Sequence, residues 1–157
     1  MSTIMSSLTI RKATIEDLDA IVAFQAAMAL ESEGTVLNID TVRKGVSAAL
    51  SDEPKGMYIV AELEGVAAGS IMVTREWSDW NNCWYWWLQS VYVAPQHRRK
   101  GIFKAMFRKV KEMAEEEGIS ELRLYVDRHN DSAQNTYRAL GMEECHYLMF
   151  SLLRRQE

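Results

Sequence analysis

The chain predicts a mixed α/β fold, with one central sheet and helices packed on its faces. Three observations carry that prediction. Apolar residues recur with a period of about 2 in some segments and about 3.6 in others, in the order β-α-α-β-β-β-α-β-α-β. The length of 157 residues, with 48% hydrophobic and 25% charged residues, suits one globular domain over residues 1–157 that buries about 70% of its unfolded surface unaided. No repeat, low-complexity segment or linker interrupts it.

The elements follow in order. The first seven residues are small and polar and read as a frayed tail. Leu8 to Lys12 reads as an edge strand. Thr14-Ile-Glu-Asp17 then forms a variant capping box that opens a helix, whose apolar face of Leu18, Ile21, Val22, Phe24, Met28 and Leu30 runs to Gly34. A second helix starts near Asp40 and carries Val42, Val46, Ala49 and Leu50 on one side. Met57 to Leu63 and Val66 to Thr74 flank Glu64-Gly65 as a hairpin. Glu76 to Asn82 reads as a polar, aromatic loop, and Cys83 to Val93 as a long strand rich in aromatic and β-branched residues. Ile102, Phe103, Met106, Phe107, Val110 and Met113 fit a helix stopped at Gly118. Ser120 to Val126 is a short strand, Asn130 caps a brief helix closed by Gly141, and Glu144 to Leu153 is the last strand.

Composition removes several function classes. A net charge of −4 argues against a general nucleic-acid or anionic-membrane binder. Two cysteines, Cys83 and Cys145, do not make a secreted disulfide framework and point to a reducing, cytoplasmic setting. No stretch resembles a signal peptide or an apolar span long enough for a membrane.

One segment sets up an electrostatic conflict. A strand ending at Pro95 is followed by His97, Arg98, Arg99 and Lys100, and then by a helix beginning near Gly101. Exposed N–H groups make a helix N-terminus partly positive, so each cation there costs about 0.3–1 kcal/mol. An anion at that end resolves the conflict, and phosphate binds naturally at such a terminus. Neither GxxxxGK[ST] nor a GxGxxG after a strand is present, so the phosphate site is of another type.

Two motifs give that type. Gln96-His97-Arg98-Arg99-Lys100-Gly101 follows the pattern Q/R-x-x-G-x-G/A, with Arg99 at the first glycine position. Asn130, Ala133, Tyr137 and Gly141 match all four fixed positions of N-x-x-A-x-x-x-Y-x-x-x-G. With this pair and the element order, nearly the whole chain resembles the GNAT superfamily of acyl-CoA-dependent N-acetyltransferases. The resemblance implies a mostly antiparallel mixed sheet of six to seven strands flanked by about four helices. It implies acetyl-CoA as cofactor, with Val91, Tyr92 and Val93 bonding the pantetheine arm. Gln96, Arg98, Arg99, Lys100, Gly101, Ile102, Phe103 and Lys104 would cradle the pyrophosphate. Asn130 and Ala133 would contact the arm, with Tyr137 near the sulfur.

The chemistry then assigns roles. Attack of an amine on a thioester expels a thiolate, and a tyrosine hydroxyl can stabilise it. A phenol titrates near 10 and a thiol near 8.5, so Tyr137 acts as a hydrogen-bond donor first and an acid second, full transfer being uphill by about 2 kcal/mol. An alkyl ammonium must also lose a proton, at a cost of about 4.6 kcal/mol at pH 7, and a base would recover part of it. Many family members carry a carboxylate near the place of Gln89, which cannot take a proton. Glu31, Glu33, Glu76 and Asp79 are the carboxylates in segments that border the acceptor in this fold, and the base stays open among them and water. Trp77 and Trp80, beside Glu76 and Asp79, suit a cationic amine through cation–π attraction; loop anchoring accounts for them equally well. Trp84 and Trp86 alternate to one face of their strand and Trp87 to the other.

Two further constellations carry nothing. Cys145 and His146 are strand neighbours on opposite faces and cannot form a dyad. Asp127, His129 and Asp131 lack metal-ligand spacing, so no metal is assigned. The reading is direct acetyl transfer to a small-molecule or peptide primary amine in a ternary complex. A non-catalytic acyl-CoA sensor is the alternative, motivated by Gln89 and Arg99. Nucleic acid and membrane are not partners in this reading, and the oligomeric state, a homodimer included, is left open.

Overall fold

The computed structural model describes residues 7–154. Apart from Ser7, the polar tail expected at the start lies outside the described residues. The chain divides into two compact units at Tyr125/Val126.

The first unit holds a five-stranded sheet in sequential order: β1 (Leu8–Lys12), β2 (Met57–Leu63), β3 (Val66–Ser78), β4 (Cys83–Val93) and β5 (Glu121–Leu124). Neighbours from β1 to β4 are antiparallel, and β5 joins β4 in parallel. The loop expected over Glu76 to Asn82 is shorter than predicted. β3 continues to Ser78, because Glu76, Trp77 and Ser78 find register partners in Tyr85, Trp84 and Cys83. Glu64 and Gly65 both take positive φ, 53° and 81°, as a tight hairpin between twisted strands requires.

Helices α1 (Leu18–Glu33) and α2 (Ile39–Ser51) lie on one face of the sheet. Ile21 and Val22 of α1 and Val46 and Ala49 of α2 pack with Tyr58 and Val60 of β2. The start of α1 is fixed by charge as well as by packing. Asp17, only 7% exposed, accepts from the Thr14 backbone N–H at 2.8 Å and from both Nη atoms of Arg11 at 2.8 and 2.9 Å. These bonds hold its carboxyl below the usual range, the Arg11 bond foremost. Asn38 caps α2 through the Thr41 N–H.

Helix α3 (Ile102–Glu116) presents Ile102, Met106, Phe107, Val110 and Ala114 as its buried side. It lies on the other face of the sheet, where Gly69 meets it. A Cβ at Gly69 would sit 2.6 Å from the Tyr92 carbonyl oxygen and 3.2 Å from Met106 Cε. Glycine is therefore what lets β3, β4 and α3 close together at this point.

The second unit contains α4 (Asp131–Ala139), capped by Asn130, whose Oδ1 accepts from Ala133 N–H at 3.1 Å. The strand expected over Glu144 to Leu153 is not formed, which leaves five strands among the described residues where six to seven were expected. Its composition suits a strand, but extended backbone becomes one only by pairing with a neighbour, and this segment joins no ladder among the described residues. The opposite-face argument that separated Cys145 from His146 loses its premise with that strand. Among the described residues no helix is long and apolar enough to cross a membrane.

Candidate active site

The site is built where β4 leaves its neighbour. Parallel pairing with β5 ends at Leu88–Leu124, whereas pairing with β3 continues to Val93. Among the described residues, Gln89 to Val93 therefore have no strand on the β5 side. A bulge marks the same point: between Met72 and Ser70 the register advances from Gln89 to Tyr92, and Ser90 takes φ 49°. One extra residue in β4 bends the strand and turns it off its former course.

The main chain of that free edge has a defined polarity. Ala94 N–H donates to Ala68 O of the β3 side at 2.8 Å, so by alternation the Val93 N–H and the Val91 carbonyl face the open edge. This is the arrangement an extended, amide-bearing ligand arm would complete as an added strand.

The edge runs into the basic loop. Pro95–His97 form a short 3₁₀ turn, and Arg99 and Gly101 take left-handed conformations, φ 61° and 76°. Arg99 thus adopts the backbone region that favours glycine, at a cost of about 1–2 kcal/mol for an L-residue. No side chain caps α3 at Gly101, and the first turn of a helix offers N–H donors of the kind a phosphate needs. Arg99, Lys100 and Lys104 are exposed around them. Charge runs against the dipole along the rest of α3, with Lys104, Arg108, Lys109 and Lys111 in its first part and Glu112, Glu115 and Glu116 in its last. Uncapped amides, local cations and a free strand edge fit the pyrophosphate and arm of a CoA ester.

Arg98 is engaged by groups of its own chain. Its Nε donates to Val93 O at 2.9 Å and its Nη2 to Glu31 Oε2 at 2.8 Å. Its guanidinium lies 5.4 Å from the Tyr92 ring centroid. Tyr92 packs on Phe24 of α1 and donates its hydroxyl to Glu31 Oε1 at 3.3 Å. The bond from Arg98 is the main reason the Glu31 carboxyl is held low. Burial, aided by Glu31, pushes the Tyr92 phenol up.

The sheet face beneath α1 and α2 continues past them as a polar, aromatic patch. Gln89, Trp87 and Tyr85 share this face with Thr74 and Glu76. Gln89 Nε2 donates to Thr74 Oγ1 at 2.6 Å. Glu76 accepts from Trp87 Nε1 at 3.2 Å through one oxygen and from Arg123 Nη1 at 3.0 Å through the other. Arg123 also pairs with Glu121 at 2.7 Å and lies 4.2 Å from the Tyr85 ring centroid. Tyr125 stacks on Trp87 at 4.6 Å.

Of the residues expected on the acceptor side, Gln89 and Glu76 meet in this patch. Trp77 does not: its register partner is Trp84, which it meets edge-on at 5.0 Å on the opposite face. Trp80 is 90% exposed in the β3–β4 turn next to exposed Asp79. Glu33 is exposed at the end of α1. Sequence reasoning missed Arg123, Tyr85 and Tyr125. The alternation in Glu121-Leu-Arg-Leu puts Arg123 on a polar face, but nothing in the sequence gives the parallel register that sets it beside Trp87 and Glu76. In the second unit, Asn130 spends its side-chain oxygen on the cap. Tyr137 is half-buried in α4, and burial pushes its phenol above the usual value.

Comparison with known proteins agrees with this geometry. The model of the Acetyltransferase (GNAT) family matches residues 24–142. The chain belongs to the GNAT acetyltransferase family, whose acetyl donor is acetyl-CoA. A solved structure described as a possible acetyltransferase from Clostridium difficile 630 is 43% identical, with a TM-score of 0.89 over 95% of this chain and 99% of that one. An aminoglycoside N-acetyltransferase solved with CoA shares the fold at 20% identity, with a TM-score of 0.79 over 99% of this chain and 100% of that one. Curated relatives match over less. Bovine thialysine N-epsilon-acetyltransferase (Bos taurus) is 40% identical over 58 residues, 37% of this chain and 34% of that protein. Streptothricin acetyltransferase of Streptomyces lavendulae is 31% identical over 94 residues, 60% of this chain and 48% of that protein. The chain thus spans about a third to a half of the curated relatives it matches.

Proposed function

We propose that this acetyltransferase moves an acetyl group from acetyl-CoA to a primary amine by direct attack within a ternary complex, and that the amine is a small cationic molecule. The observation that carries the reading is the free edge of β4 from Gln89 to Val93, which leads directly into the uncapped start of α3. When bound, acetyl-CoA supplies an activated acyl group as a thioester. The peptide groups of Val91 and Val93 would hold the arm. The Val91 to Val93 strand would also polarise the acyl carbonyl through its N–H groups. The amides of residues 99–104, with Arg99, Lys100 and Lys104, would hold the pyrophosphate.

Tyr137 would donate a hydrogen bond to the departing sulfur. Its raised pKa suits a donor that keeps its proton rather than a strong acid. On the acceptor side, Glu76 and Glu121 face one guanidinium, that of Arg123. The excess negative charge and the rings of Trp87 and Tyr125 favour an ammonium-bearing substrate. Glu76 and Glu31 are both engaged by arginines, which leaves water or Glu33 to take the ammonium proton.

The test is release of free thiol from acetyl-CoA across a panel of polyamines, aminoglycosides, lysine and peptide N-termini. Turnover on a cationic amine supports the reading. Binding of acetyl-CoA with no turnover on any amine would instead favour the acyl-CoA sensor that Gln89 and Arg99 suggest.

A further inference from the structure

The basic loop is tied to the rest of the fold through one side chain. Arg99 and Gly101 both take positive φ, and the main chain between them forms only a turn at Arg98 and Arg99 and a bend at Lys100 and Gly101. The preceding 3₁₀ turn closes with a long bond, Arg98 N–H to Pro95 O at 3.3 Å. What ties the loop down is the Arg98 side chain, and it does so in two directions. Nε reaches back to Val93 O at the end of β4, and Nη2 reaches across to Glu31 on α1. The Glu31 carboxylate is in turn held through its second oxygen by Tyr92, whose ring is fixed against Phe24. Only a guanidinium has the fork to make both bonds; a lysine ammonium has no such rigid geometry.

We infer that Glu31, Arg98 and Tyr92 form a clamp that positions the cofactor loop, so that a carboxylate on α1 sets acetyl-CoA affinity without touching the ligand. This rests on assigning the loop to acetyl-CoA. Arg98 is then a positioning residue, its charge spent on Glu31, and the ligand's charge falls to Arg99, Lys100 and Lys104. Preorganisation of this kind raises affinity by removing the cost of ordering the loop on binding.

The clamp has a sign that simple electrostatics does not. Removing an anion near a polyanionic ligand should tighten binding; loosening the clamp should weaken it. The experiment is calorimetric titration of acetyl-CoA into the wild type, Glu31→Gln, Arg98→Lys, Glu31→Gln/Arg98→Lys and Tyr92→Phe, with thermal denaturation of each free protein. Expected are a roughly twofold to fivefold weakening for Glu31→Gln and for Arg98→Lys, and a double variant no weaker than the worse single because both break one network. Tyr92→Phe keeps the ring packing and weakens binding in the same direction by less. At saturating substrates kcat stays within about twofold, so KM for acetyl-CoA carries the change. Both side chains of the pair are about half-exposed, so all variants fold. Unchanged or tighter binding by Glu31→Gln, with the wild type binding normally, overturns the clamp and makes Arg98 a phosphate ligand held back by Glu31. A wild type that does not bind acetyl-CoA overturns the assignment of the loop itself.

Discussion

Replacing Arg99 separates two things this residue does, because glycine and alanine answer different questions. Arg99 holds φ at 61°, a conformation that costs an L-residue about 1–2 kcal/mol. Arg99→Gly removes that strain, while the greater freedom of glycine in the unfolded chain offsets about 0.4–1 kcal/mol of the gain. The free protein should therefore be about 0.5–1 kcal/mol more stable, a rise of roughly 1–4 °C in Tm for a chain of this size. Arg99→Ala keeps the strain and should leave the free Tm nearly unchanged. Both substitutions delete one cation. With two phosphate charges about 7 Å away in water-like dielectric the loss is about 1 kcal/mol, or roughly fivefold in Kd for acetyl-CoA. The assay is differential scanning of the free proteins, followed by titration with acetyl-CoA. A lower free Tm for Arg99→Gly would refute the strain argument. Equal acetyl-CoA affinity in wild type and both variants would refute the placement of phosphate charge beside Arg99.

Three further predictions follow. Tyr137→Phe should lower kcat about tenfold or more while leaving acetyl-CoA affinity within about twofold, since one transition-state donor is lost; full kcat under rate-limiting chemistry would refute its role. Asp17→Asn should cost about 2–3 kcal/mol at neutral pH, because it leaves Arg11 without its main partner. The folded Asp17 pKa lies below its unfolded value, so that stability is complete above about 4 and fades as pH falls through the folded value; a gap between wild type and variant that persisted at lower pH would refute the linkage. Trp87→Ala should raise KM for a cationic acceptor about fivefold or more, whereas Trp80→Ala, at 90% exposure, should change it less than twofold; the reverse order would move the acceptor to the β3–β4 turn.

Much of this was legible in the sequence because it depends on local chemistry. The capping box at Thr14, the Glu64-Gly65 turn, the glycine stops at Gly34 and Gly118 and the apolar face of α3 are each set by neighbours within a few residues. The case for an anion at the start of α3 is local in the same way, since cations crowding a helix start conflict with its dipole. What was not legible depends on long-range register. Nothing near Gln89 announces the bulge, because Ser90 is an ordinary residue for a strand yet adopts φ 49°. Trp77 looked like part of a loop with Trp80 until pairing with Trp84 carried β3 on to Ser78. The pairing of Arg98 with Glu31 joins residues 67 apart in the chain, which no local pattern announces. The segment from Glu144 to Leu153 shows the opposite error, as strand composition without a partner strand does not make a ladder.

If the free edge of β4 and the start of α3 receive acetyl-CoA, hydrogen exchange of backbone amides with and without acetyl-CoA shows it residue by residue. Exchange slows at Val93 and across residues 99–104, with β1 and α2 unchanged. Binding that leaves those amides unaltered and protects a different part of the chain would contradict it.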